Sequence, residues 1–389
     1  MKPVKIAEKI YWVGAIDWDL RDFHGYTTEM GSTYNAYLLL DREPTLIDTV
    51  KHYKFDEMLS RIKELIDPKE IKHIISNHVE MDHSGSIPLI LDIAKDADVI
   101  TCPQGEKGLK NHFFRDIKYN TVKSQDVLET GEFKVKFYQT PMVHWPDNMV
   151  SYIEKEKILF SNDSFGQHFA SFERFDDEVS VDEVLKQAKK YYANIVLPYS
   201  QQVKNALSAL SPLEIKMICP SHGIMWRKSI DALLREYSDW SDNKTIRKAV
   251  IIYDTMWNST KKIAYKIYEA FEEKGYKVVL CNLKTFHMSD VMTEILDSEI
   301  IAVGSPTLNK NMLPSVSGFL TYLNGLSPKR RKGLAFGSYG WGGESIKQVE
   351  ESLKNCGFEM LESIKHQFVP TEDSLNKIKN NLKGVINDQ

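Results

Sequence analysis

The densest chemistry in the sequence lies in His78-Val-Glu80-Met-Asp82-His83, directly after the short apolar run Ile71-Lys-His-Ile-Ile75. Four potential metal ligands fall within six residues. In an extended loop, positions i and i+2 face one way, so His78 and Glu80 can share one ion while Asp82 and the adjacent His83 turn to a second. Two imidazoles and two carboxylates this close carry repulsion and desolvation costs that a cation relieves. Three further candidates occupy comparable loops after strand-like runs: His144 in Pro141-Met-Val-His-Trp-Pro-Asp147, Asp163 in Phe160-Ser-Asn-Asp-Ser-Phe165, and His222 in Pro220-Ser-His-Gly223. Each of these alone reads as a capping or hydrogen-bonding residue. Together, seven ligands with three carboxylates suit two ions ~3.5–4 Å apart, with Asp163 as the natural bridge. Zinc and iron both accept imidazole and carboxylate, but three hard carboxylates and no thiolate favour iron or manganese. His52, His73, His112, His287 and His366 have no such neighbours and read as surface or core histidines.

A second constellation lies further along. The loop Asp254-Thr-Met-Trp-Asn-Ser-Thr260 joins an apolar strand to a helix and contains no glycine, so it is neither a Walker motif nor GxGxxG. Its polar groups, on Thr255, Asn258, Ser259 and Thr260, can hold a phosphate together with the backbone N–H groups of the helix N-terminus. Met256 and Trp257 complete the loop. No lysine lies inside it, which suits a singly phosphorylated ligand. Two more polar loops follow later strands: one carries Pro306, Thr307, Leu308 and Asn309, the other Ser338, Tyr339, Gly340, Trp341 and Gly342. Three such loops at one sheet edge form a crevice at a switch point. Tyr339 and Trp341 can stack on a flat ring that the glycines let the backbone approach.

These loops need two different scaffolds. Residues 34–40 and 45–48 read as a hairpin around a turn at 41–44, followed by a helix over 55–66 and a strand over 71–75. Strands recur at 98–101, 133–139, 149–153 and 157–160, helical patterning runs over 181–209, and a strand at 217–219 precedes a helix over 230–240. Residues 241–245 read as a polar linker. Beyond them apolar strands at 249–253, 276–280, 300–304 and 333–336 alternate with helices, the pattern of a parallel sheet wound on both faces. The expected domains are 1–246 and 247–389.

Composition excludes several classes. With 389 residues, 27% charged, 42% hydrophobic and a net charge of −4, the chain is neither disordered nor a strongly basic nucleic-acid binder. No apolar run approaches the ~18–20 residues of a membrane span. The first residues lead straight into strand-like sequence and not into a signal peptide's apolar core, so a cytoplasmic protein with no membrane or nucleic-acid partner is expected. Cys102, Cys219, Cys281 and Cys356 are far apart and read as core thiols, with no local zinc or iron–sulfur site.

The N-terminal 245 residues resemble the metallo-β-lactamase fold, an αββα sandwich whose usual signature is HxHxDH. Glu80 stands where its zinc hydrolases have a second histidine. HxExDH followed by His144, Asp163 and His222 resembles the flavodiiron proteins (A-type flavoproteins), as do Phe23-His-Gly-Tyr26, Thr33-Tyr-Asn-Ala-Tyr37, His144-Trp-Pro-Asp-Asn-Met149 and Tyr192-Ala-Asn-Ile195. The second part is similar to flavodoxin, a doubly wound parallel sheet of order 2-1-3-4-5, with a flavodiiron-like variant of its phosphate loop. The resemblance implies FMN in the crevice and two iron ions: His78, Glu80 and His144 on one, Asp82, His83 and His222 on the other, Asp163 between. It implies reduction of O2 to water, NO to N2O, or both. With no cysteine pair after the flavodoxin-like part, the electron donor is expected to be external, and the shortest family members point to rubredoxin. A head-to-tail homodimer is also implied, because a short linker restricts how one chain can bring its cofactors together. His24 and His168 are expected to supply a proton or an orienting hydrogen bond, with Tyr26 and Tyr199 as weaker candidates. The competing reading is a zinc hydrolase similar to glyoxalase II; Glu80 and the flavin loops argue against it.

Overall fold

The computed structural model describes residues 2–386, which divide into two compact units. The first comprises residues 2–23, 28–191 and 201–238, and the second 24–27, 192–200 and 239–386.

In the first unit, short apolar runs form strands because alternate residues find apolar cover on both faces. Tyr37, Leu39, Ile47, Ile75 and Ile100 point into one cluster, and their neighbours Leu38, Leu46, Ile74 and Val99 into another. The first cluster is shared with Phe133, Val135, Phe137, Met149, Ile153, Ile158 and Phe160 of a second sheet, so two sheets face each other across it. The second contains Met58 and Ile62 of the helix Phe55–Lys63, which covers the outer face of the first sheet. The first sheet runs Val4–Ala7, Ile10–Trp12, Tyr37–Leu39, Thr45–Ile47, His73–Ile75, Asp98–Thr101, Tyr119–Thr121; the second runs Val127–Glu129, Lys134–Gln139, Met149–Ile153, Ile158–Asn162, Met217–Pro220. This is the metallo-β-lactamase-like sandwich. Thr45–Ile47, His73–Ile75 and Asp98–Thr101 are parallel, as are Ile158–Asn162 and Met217–Pro220. Met149–Ile153 is antiparallel to Ile158–Asn162, which brings the loop before Met149 beside the loop after Asn162.

The second unit is a parallel sheet in the order Lys277–Asn282, Ile246–Tyr253, Ser298–Gly304, Lys332–Tyr339, Glu359–Met360, with Ile364–Gln367 also on Lys332–Tyr339. This is the flavodoxin order. Ala249, Ile251, Ile300, Ala302, Leu334 and Phe336 bury one sheet face against Ile263, Ile267 and Phe271 of the helix Ser259–Glu273 and Leu375 and Leu382 of the helix Glu372–Val385.

Several boundaries differ from the sequence pattern. The hairpin's first run splits: Ser32–Tyr34 pairs with Ala15–Asp17, and only Tyr37–Leu39 pairs with Thr45–Ile47. The helix from Phe55 ends at Lys63, ahead of an Asp67–Glu70 capping box on the turn Pro68–Glu70. Helical patterning over 181–209 resolves into Val181–Tyr191, a wide turn Tyr192–Val196, a tight turn Leu197–Tyr199 and Ser200–Leu210; Pro198 cannot continue the hydrogen-bond ladder. The strand expected at 276–280 is Lys277–Asn282. The polar run 241–245 is not a solvated tether. Ser241 and Asn243 are buried, and Asn243 accepts from Lys329 N and Arg331 Nη1.

Candidate metal centre and flavin cleft

Four loops at one edge of the first unit carry the seven predicted ligands. Glu80 ends the loop after His73–Ile75, and Asp82 and His83 lie in the single helical turn Met81–Ser84 that follows. All seven side chains are buried or nearly so and fall into two groups: His78, Glu80, His144 and Asp163, and Asp82, His83 and His222. Asp163 divides its oxygens between them. Oδ2 lies 3.2 Å from His144 Nε2 and 3.6 Å from His78 Nε2. Oδ1 lies 3.0 Å from His83 Nε2 and 3.5 Å from His222 Nε2. Glu80 Oε2 closes the first group, 3.3 Å from His78 Nε2 and 3.4 Å from His144 Nε2. Asp82 closes the second, 3.1 Å from His222 Nε2 and 3.4 Å from His83 Nε2.

The donors converge on two points and satisfy one another only in part: His78 Nε2 pairs with Glu80 Oε2 and His144 Nε2 with Asp163 Oδ2. Among the described residues, both Asp82 oxygens, Asp163 Oδ1 and both His83 nitrogens are buried without a hydrogen bond of acceptable geometry. Buried polar atoms left this way are costly unless another partner takes them. Electrostatics points the same way. Burial opposes charge on Asp163, yet His83, His144 and His78 hold its carboxyl well below the ordinary range. Burial likewise opposes protonation of His83, but Asp82 and Asp163 beside it raise it to about 9. A pair of cations performs the same neutralisation.

The second unit contains a cleft of about 680 Å3 at the carboxyl ends of its strands. Of the predicted flavin residues, Thr255, Met256, Trp257 and Ser259 line it, as do Pro306 to Asn309 and Ser338 to Gly342. Asn258 and Thr260 do not. Asn258 takes a left-handed conformation (φ 66°) that starts the helix Ser259–Glu273, and the buried Thr260 hydroxyl is 2.9 Å from Ser338 Oγ. The helix start has no side-chain cap, and the buried Thr255 Oγ1 has no hydrogen-bond partner among the described residues. Both suit a phosphate at that position. Trp257 and Trp341 are 88% and 95% exposed, so their ring faces are open to a flat ligand.

Residues 33–223 match the family model described as ODP family beta lactamase, and residues 251–380 match the flavodoxin model. The nitric oxide reductase of Moorella thermoacetica is 42% identical over 92% of this chain and 92% of its own. The rubredoxin-oxygen oxidoreductase of Megalodesulfovibrio gigas is 42% identical over 97% of this chain and 96% of its own. The crystal structure of the flavodiiron protein from Giardia intestinalis superposes with a TM-score of 0.96 at 33% identity, covering 99% of this chain and 96% of that one.

This chain belongs to the flavodiiron protein family. It is an oxidoreductase whose cofactors are FMN and a di-iron centre. The orphaned carboxylate and imidazole atoms fit a metal pair, and the uncapped helix start with Thr255 fits the flavin phosphate.

Other residues support this flavodiiron site. His168 is buried, with Nδ1 2.6 Å from Ser32 Oγ and its ring 4.6 Å from that of His222. Burial, helped by His222, pushes it well below the ordinary imidazole range. His24 lies in the turn between the two-residue strands Asp22–Phe23 and Tyr26–Thr27, at φ 51°, and groups with the second unit, as does Tyr199. Sequence reasoning passed over Asp147 and Thr33, which bond His78 Nδ1 and His222 Nδ1. Both sit inside stretches already singled out, but their partners are far away in sequence. It also missed Lys310, Glu344, Phe368 and Val369 of the cleft. The last two follow the strand Ile364–Gln367, and a loop after that final strand was the available signal.

Proposed function

We propose that the chain passes electrons from an external donor through FMN to the di-iron centre and reduces O2 to water, NO to N2O, or both. One observation carries this reading: Asp163 presents one carboxylate oxygen to each of two donor groups. His78, Glu80 and His144 would hold one iron and Asp82, His83 and His222 the other, with Asp163 offering an oxygen to each. When bound, FMN supplies electrons singly or in pairs, and the iron pair supplies a redox-active Lewis acid for a diatomic molecule. The chain's own part is to hold these donors in a buried site. His168, hydrogen-bonded to Ser32 with its ring tilted against that of His222, would help orient that ligand by packing. His24 is proposed as a proton-supplying group on the strength of the Phe23-His-Gly-Tyr26 stretch.

Residues 1–246 act as the di-iron domain and 247–389 as the FMN domain. The cleft residues named above are proposed to contact the flavin, with Asn258 and Thr260 shaping its phosphate loop. Similarity to a rubredoxin-oxygen oxidoreductase supports rubredoxin as the donor. Among the described residues no helix is long and apolar enough to cross a membrane, which fits a cytoplasmic site of action. Only residues 242–245 separate the helix Ile230–Ser241 from the strand Ile246–Tyr253, which favours a head-to-tail homodimer with transfer between chains. Mixing Asp163→Asn protomers with Ser259→Ala/Thr260→Ala protomers tests that point: transfer between chains restores activity in the heterodimer, and transfer within one chain does not. The functional test is a pair of steady-state rates with O2 and with NO, using a chemically reduced donor. A yellow, iron-containing protein that consumes at least one gas supports the reading. A colourless zinc protein inert to both defeats it.

A further inference from the structure

His78 is fully buried and uses its two ring nitrogens differently. Nε2 faces Glu80 Oε2 and Asp163 Oδ2. Nδ1 lies 3.0 Å from Asp147 Oδ2, and the same oxygen accepts from Val79 N at 2.8 Å. Asp147 is 4% exposed and is itself braced. Its backbone carbonyl accepts from the Cys102 thiol at 3.1 Å, and Cys102, at the start of the helix Pro103–Phe113, accepts from Gly105 N. A residue of the second sheet's loop is thereby tied to the end of a first-sheet strand and aimed at a ligand.

The other donor group has no equivalent. His222 Nδ1 donates to the neutral carbonyl of Thr33 at 2.7 Å, and His83 Nδ1 is buried without a hydrogen-bond partner among the described residues. An ionised acceptor makes a hydrogen bond roughly twice as strong as a neutral one. It also fixes the tautomer and raises the basicity of the opposite nitrogen.

We propose that Asp147 is a positioning residue that fixes His78 as an Nε2 donor. It thereby makes the His78–Glu80–His144 half of the centre the tighter and more electron-rich of the two. The inference rests on the ligand assignment proposed above.

The test uses the full chain with FMN bound, stripped of metal by chelation and reloaded with 57Fe, as wild type, Asp147→Asn and Asp147→Ala. The amide oxygen of Asn can still accept from both Val79 and His78, so that variant keeps the brace and loses only the charge. Mössbauer spectra of the wild type should show two doublets of equal area. In Asp147→Ala, affinity at one site should fall about 10–100-fold, so that at limiting iron one doublet vanishes and the other persists. In Asp147→Asn both areas should remain, with one doublet shifted and the other superimposable on wild type. Unchanged FMN content and far-UV circular dichroism show that the fold is kept; if Asp147→Ala does not fold, Asp147→Asn decides. Unaltered doublets in Asp147→Asn, or equal loss of both doublets in Asp147→Ala, would overturn the proposal. A wild type that takes up no pair of irons would overturn the ligand assignment beneath it, which the variants alone would not.

Discussion

Asn35→Ala offers a stability test whose size follows from counted bonds. Asn35 is 1% exposed. Its Nδ2 donates to Pro220 O at 2.8 Å and Gly223 O at 3.1 Å, and its Oδ1 accepts from Trp12 Nε1 at 2.8 Å. Truncation to alanine removes these bonds and leaves the Trp12 indole N–H unpaired in a dry interior, while Pro220 O keeps the Tyr37 hydroxyl and Gly223 O the Thr33 hydroxyl. A net loss of about 1–1.5 kcal/mol for each of the three bonds predicts a total of about 3–4.5 kcal/mol. For a unit of this size about 1 kcal/mol moves Tm by roughly 2–4 °C, so the expected fall is about 6–18 °C. The two carbonyls belong to the loop that carries His222, so the variant should also lose iron from that half of the centre. Thermal unfolding by circular dichroism and iron analysis of the same sample check both claims. A Tm within about 2 °C of wild type, with full iron, would refute the reasoning that this amide holds the loop.

Three further outcomes are expected. His73 sits between Asp98 Oδ1 at 2.6 Å and Glu43 Oε2 at 3.2 Å; Asp98, against the pull of burial, raises its pKa, with Glu43 adding. A raised folded value stabilises fully below the unfolded pKa, so the advantage of wild type over His73→Gln should be full below about pH 6.5 and vanish as pH rises through the folded value, read by urea unfolding at about pH 6 and pH 9. Lys284 donates to Thr255 O at 2.6 Å and pairs with Asp254 at 3.3 Å at the base of the phosphate loop; Lys284→Met should weaken FMN binding a few-fold in a fluorescence titration, and less so at high salt. Gly337→Ala would place a Cβ 2.0 Å from the backbone oxygen of Ser305, so the sheet must part; loss of bound FMN and of near-UV signal from the second unit is expected.

The convergence of the seven donor side chains was legible because they are dense in sequence and follow apolar strands. HxExDH needs no distant information, and the loops at His144, Asp163 and His222 repeat its strand-then-loop pattern. The flavodoxin-like winding was legible for the same reason: apolar strands 249–253, 300–304 and 333–336 punctuate the second half at regular intervals. All four cysteines are buried and free, as their spacing implied. The braces were not legible. Asp147 and His78 are 69 positions apart, Thr33 and His222 189 apart, and only the meeting of two sheets brings them together. The break at 192–199 was not read because this stretch is mostly buried, so its apolar residues merge with those of the flanking helices. The run 241–245 looked solvated because its burial depends on carbonyl and amide bonds to residues 329–331, which composition does not reveal.

In the proposed centre one carboxylate, Asp163, joins two irons in a chain that separately holds FMN. Iron and flavin analysis of wild type beside Asp163→Asn tests it most directly. About two irons and one FMN per wild-type chain are expected, and loss of both irons with FMN retained in the variant, because an amide is a poor bridge. Loss of a single iron, retention of both, or a wild type that carries chiefly zinc would contradict it.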